Sequence, residues 1–206
     1  SDPIIYSGFD SQNFGASFQL LQKIMHELEG QTGDSVFRNI SGYFRIPSML
    51  WQEDRKPLFA LADSIKSAAT YTLDCINRHE QTILQQYKLS PLAFRFLQRA
   101  VSNYRESVSL DWNTEDPVSK RDSLMAANLF WLMDEIYPNQ KFIIWGHNGH
   151  IDKKSPDQKP YKWMGHFVRE RFGKDAFHIG LFAKEGETFE WWTKTNKSFH
   201  HNKTDD

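Results

Sequence analysis

Cysteine is nearly missing from this chain: Cys75 is the one thiol in 206 residues. No disulfide can form within it, so an oxidising compartment is not required. Excess positive charge is also missing, since 25 Lys and Arg meet 26 Asp and Glu. That balance lacks the basic footprint of a nucleic-acid binder. No apolar run approaches the roughly 18–20 residues that span a bilayer. Residues 1–7 carry neither the basic nor the apolar part of a secretory signal. A cytoplasmic protein with no nucleic-acid partner and no membrane partner is therefore expected. There is no GxSxG elbow, no P-loop and no dinucleotide fingerprint, so the commonest serine-hydrolase and nucleotide chemistries have no anchor.

Apolar material is present in quantity. Hydrophobic residues make up 39% and aromatics 15%, enough for a packed core. Phe14, Phe18, Leu21, Met25 and Leu28 recur at helical spacing, and Gly30 is a natural stop. Residues 31–56 have weak periodicity and read as loop. Two helices follow, one from Pro57 toward Tyr87 and one restarted by the Ser90-Pro91 cap. Together they predict a helical hairpin over 57–107. A further helix is expected from Asp122 to Ile136, ended by Pro138.

Then the period changes. Phe142-Ile143-Ile144-Trp145 is a short continuous apolar run, the pattern of a strand buried on both faces. Residues 161–172 predict a helix capped by Gly173. Residues 177–183 alternate as a second strand, with a tight turn at Glu185-Gly186 and a return over 188–193. Residues 196–206 read as a polar tail that frays. The expected fold is α/β in the mixed α+β sense. A small mixed sheet is flanked by helices, helix-rich overall, in a single domain over 1–206 with the 57–107 hairpin inserted in it.

The segment most suited to chemistry is Trp145-Gly-His147-Asn148-Gly-His150-Ile151. It is expected just past the carboxyl end of a buried strand, where open sheets bind ligands. Imidazole titrates near neutral pH, so His147 and His150 suit acid–base work or carbonyl polarisation. The same HxxH spacing suits a metal, but no third ligand accompanies it, so no metal is expected. A third reading keeps them as polar loop residues. Cys75, with His79 four residues on, reads as a packed helix residue.

At this point the pattern resembles a known family. Arg121-Asp122-x-x-Met125-Ala-x-Asn128-Leu-x-Trp131-Leu, a Tyr-Pro, and Ile144-Trp145-x-His147-Asn148-x-His150-Ile151 are similar to the C-terminal signature of erythromycin esterase-like proteins. Met164-Gly165, Ile179-Gly180-Leu181 and the opening Gly8-Phe9-Asp10-x-Gln12 continue the likeness over most of the chain. The resemblance implies a carboxylic ester hydrolase without bound metal or other cofactor. Its characterised members are antibiotic-resistance enzymes that open the macrolide lactone by His-assisted water attack. A small-molecule ester is the implied partner. The implied catalytic residues are His147 and His150, with His147 first as oxyanion donor or proton shuttle. Asn148, Arg121, Asp10 and Trp145 are supporting residues.

The family's water-activating histidine lies in a GExxH segment, and this sequence contains no GExxH. The chain is accordingly expected to be truncated and to lack esterase activity alone. Its open sheet edge would be covered by a missing N-terminal segment or by self-association. Two other readings remain open: a non-catalytic module binding a glycan or small apolar ligand, and a metal-dependent hydrolase using HxxH.

Overall fold

A computed structural model describes residues 5–9, 15–46, 56–109, 117–152, 162–180, 185–190 and 195–200. The first helix, α1, runs over Gly15–Ser41 and breaks at Gly30, where φ is 54° and ψ −130°. L side chains rarely adopt that conformation, so glycine is required there. Leu21, Ile24 and Met25 before the break are buried, and so are Phe37 and Ile40 after it. The two halves touch backbone to backbone. A Cβ on Gly33 would lie 2.0 Å from the Met25 carbonyl oxygen. Gly30 thus breaks the helix as its position suggests, but residues 31–41 are helix rather than loop. The chain reverses and keeps feeding the same core.

Helices α2 (Lys56–Arg78), α3 (Glu80–Gln86) and α4 (Pro91–Ser107) complete that core. Leu58, Ile65 and Ile76 from α2 meet Phe94, Leu97, Val101 and Tyr104 from α4. Each large side chain buried in this way contributes about 1.5–3 kcal/mol. Ser90 caps α4, its Oγ accepting from the Ala93 N–H at 3.1 Å, with Pro91 in the first turn.

A second, smaller core lies between α5 (Pro117–Trp131) and α7 (Met164–Phe172), with the single turn α6 (Asn148–Ile151) beside them. Met125, Ala126, Leu129, Met164 and Val168 are buried there, and Phe9, Phe142, Ile144 and Phe172 pack around them. A π-helical turn over Leu132–Ile136 extends α5, and Gly173, at φ 53°, ends α7. The two cores are tied by Arg99 Nε donating to Asn128 Oδ1 at 2.6 Å and by an Arg95–Glu135 ion pair at 2.6 Å.

Among the described residues the expected α/β mixed sheet is not there. Helix dominates the described residues, and their strands form one antiparallel ribbon, β1 (Glu185–Glu190) with β2 (Thr195–His200). Residues 141–147 form no helix or strand, and no described strand pairs with them. Phe142 and Ile144 face the second core, whereas Ile143 is 97% exposed and Trp145 81%. The apolar run therefore covers helices with one face only, and a run without alternation conceals that. Residues 176–180 behave alike: Ala176 packs inward while Phe177 and Ile179 are exposed.

Glu185-Gly186 is not a turn but the start of β1, and its partner comes from the expected tail, where 195–200 is strand. The strand expected over 188–193 overlaps β1 at 188–190, whereas β2 is polar and gave no signal, because backbone ladder formation, unlike burial, needs no apolar pattern. Residues 181–184, 191–194 and 201–206 lie outside the described set, and with them the ends of the strands expected over 177–183 and 188–193. Among the described residues, no helix is long and apolar enough to cross a membrane.

Candidate active site

The two histidines are positioned by the first turn of α6. His147 occupies its N-cap, with extended backbone, and its Nδ1 accepts the Gly149 N–H at 3.1 Å. Three residues on, the turn carries His150 toward α5. There His150 Nδ1 donates to Asp122 Oδ1 at 2.8 Å. Asp122 is fully buried and the His150 side chain is 20% exposed. The Trp163 ring stands edge-on to His150, with centroids 5.9 Å apart.

Asp122 holds more than the imidazole. The same Oδ1 accepts the Met164 N–H at 2.9 Å, so this carboxylate also satisfies the start of α7. Its charge sits where the positive end of a helix favours an anion. Among the described residues, Asp122 Oδ2 has no hydrogen-bond partner. On the far side of α6, His178 Nδ1 donates to the Ile151 carbonyl at 2.8 Å. Gly165 lets α7 rest directly on this turn: a Cβ there would lie 2.1 Å from the Ile151 oxygen and 2.5 Å from the Asp152 oxygen.

These bonds give the two rings opposite tautomers when neutral. His150 carries its proton on Nδ1, facing Asp122, and leaves Nε2 as an acceptor. Arg121 Nη1 lies 3.5 Å from that Nε2, at the limit of hydrogen bonding. His147 accepts at Nδ1 and so carries its proton on Nε2, outward. The ring centroids are 6.5 Å apart. The arrangement places an acceptor, a donor and a guanidinium side by side at the surface.

Of the residues singled out from the sequence, His147, His150 and Arg121 come together. Asn148 is partly buried within α6, and Trp145 projects into solvent from the preceding segment. Asp10 lies outside the described residues, as do the other residues of its motif beyond Phe9. Phe9 is tied in, its carbonyl accepting from Asn128 Nδ2 at 3.1 Å. Asp122 was passed over as a helix-start residue. Its signal was present, as a carboxylate beside Arg121 in the same motif, but nothing local says it reaches His150. The strand-end argument for the histidines fails with the sheet. What positions them is a helix cap and a buried carboxylate.

A family model for erythromycin esterase matches residues 2–204. A Bacillus subtilis (strain 168) protein bearing the name "Putative hydrolase YbfO" is 36% identical over 78 residues. That match covers 34% of this chain and 17% of the relative's length. No solved structure matches the chain significantly. With all but one residue at the N-terminus and two at the C-terminus inside the family model, this chain belongs to the erythromycin esterase family.

Proposed function

We propose that this chain supplies the proton-shuttle and oxyanion part of a carboxylic ester hydrolase site, acting on a lactone or related ester. The observation that carries the reading is the His150–Asp122 bond at 2.8 Å beside Arg121. A buried carboxylate that fixes an imidazole's tautomer is the orienting element of acid–base catalysis. Family membership and the hydrolase name of the Bacillus relative support the class of reaction.

In this mechanism, water attacks the ester carbonyl and its proton passes to a base. The C=O electrons move onto oxygen, where His147 Nε2–H and Arg121 stabilise the charge. The carbonyl re-forms, the ester C–O bond breaks, and the proton that the base took from water passes through His150 Nε2 to the leaving alkoxide. The base of the family's GExxH segment has no counterpart in these 206 residues. The chain alone therefore binds the tetrahedral state without appreciable turnover.

A phosphonate monoester mimics that state in shape and charge. Titration of the purified chain, followed by the imidazole proton resonances, should show saturable binding. His147→Ala and Arg121→Met should each weaken it about 10-fold or more, the scale of one lost charge-assisted bond. Binding unchanged in both variants would remove the oxyanion role. Lactone turnover by this chain, abolished by His147→Ala, would place the base within it and overturn the division of labour.

A further inference from the structure

A second group of reactive side chains lies in the helical core, away from the histidine pair. Glu29, the residue before the Gly30 break, projects onto α2. There Cys75 Sγ lies 3.4 Å from Glu29 Oε1, and Tyr71 donates its hydroxyl to Glu29 Oε2 at 3.0 Å. His79 follows one helical turn after Cys75. The ligand atoms of Glu29, Cys75 and His79 all lie within 4.8 Å of one another. We propose that Glu29, Cys75 and His79 bind a zinc-type divalent cation, which clamps α1 to α2.

The chemistry of the donors favours that class of metal. A thiolate and an imidazole select borderline-soft cations such as Zn²⁺ or Co²⁺ over Mg²⁺ or Ca²⁺, and one carboxylate is a common third ligand. Metal–ligand bonds of about 2.0–2.3 Å put neighbouring ligands of a tetrahedral site roughly 3.2–3.8 Å apart. The Cys75–Glu29 separation already has that value, and a turn of the His79 ring closes the third side. Water completes the fourth.

Charge also closes. Glu29 and the Cys75 thiolate offset a divalent cation, and His79 coordinates neutral. Burial, with Glu29 beside it, pushes the free thiol up to about 11, so binding releases one proton: M²⁺ plus Cys75 S–H gives M–S plus H⁺. Arg78 now stands 3.8 Å from Glu29 Oε1 and supplies the opposing charge. Its side chain is 61% exposed and can leave to water when the cation arrives.

Cobalt(II) added to the full chain tests this. The expected result is one equivalent bound, with a thiolate-to-metal charge-transfer band and the visible bands of tetrahedral cobalt, both displaced by zinc. Cys75→Ser and His79→Ala should each abolish the charge-transfer band, whereas His147→Ala should leave it intact. Because Cys75 is fully buried, its variant has to be checked for folding by circular dichroism. His79→Ala, at a partly exposed turn, decides the matter if that variant unfolds. No charge-transfer band in the parent chain, or one that survives His79→Ala, overturns the site. Cobalt bound without a charge-transfer band, and lost with His147→Ala, would place the metal at the other histidines instead.

Discussion

Replacing Asp122 with Ala is expected to lower the unfolding free energy by about 2–4 kcal/mol and to abolish phosphonate binding. The carboxylate is fully buried and accepts two N–H groups from different elements, His150 Nδ1–H and the Met164 amide. Alanine leaves both donors facing a small void that water fills poorly. Each lost bond to a charged acceptor costs about 1.5–3 kcal/mol, less what relaxation recovers. With its orienting partner gone, His150 also loses the preference that leaves Nε2 as the acceptor. Asp122→Asn separates the two roles. Its amide oxygen can still accept the Met164 N–H, so most of the stability should return, while the negative charge facing the His150 ring is gone. Denaturant unfolding and phosphonate titration on the same three proteins measure this. Full binding by Asp122→Ala would show that the pair only holds the fold.

Gly165→Ala should be nearly as damaging, although it adds a single methyl group. The new Cβ would meet two backbone carbonyl oxygens, of Ile151 and Asp152, at 2.1 and 2.5 Å. Backbone cannot rotate aside as a side chain can, so α6 and α7 have to separate. Overpacking of this kind costs about 1–3 kcal/mol. The displacement falls on the turn that carries His150, so the His150–Asp122 bond should lengthen along with the loss of stability. A melting temperature lowered by several degrees, with phosphonate binding reduced at least tenfold, is the expected outcome. A variant with parental stability and binding would mean that α7 does not seat the turn.

Much of the helical part was legible because helices announce themselves locally. The Ser90-Pro91 cap, the 3–4 spacing of Phe94, Leu97, Val101 and Tyr104, and Gly173 after Phe172 are all signals within one or two turns. The sheet was misread because Phe142–Trp145 is apolar throughout. Such a run satisfies a buried strand and an extended segment lying on helices equally well. The distinction rests on whether another strand takes its amides, which is information distant in sequence. Gly33 and Gly165 both mark places where one backbone rests on another, which no local pattern discloses.

The site divides in the same way. The HNGH segment stood out by its own residues, and its short spacing brings His147 and His150 near each other. That Asp122, 28 residues earlier, is the acceptor for His150 follows only from the packing of α5 against α7. The Glu29–Cys75 contact spans 46 residues, and no periodicity could disclose it. Fold-level likeness could not have supplied either pair, since a family assigns motifs and not the distances between them.

A helix cap and a buried carboxylate hold the two histidines in opposite tautomers. Nitrogen-15 correlation spectra of the imidazole rings in the purified chain, assigned with His147→Ala and His150→Ala, test this most directly. The expected result, at a pH where both rings are neutral, is His150 with its proton on Nδ1 and His147 with its proton on Nε2. His150 protonated on Nε2, or two rings exchanging freely between tautomers, would contradict it.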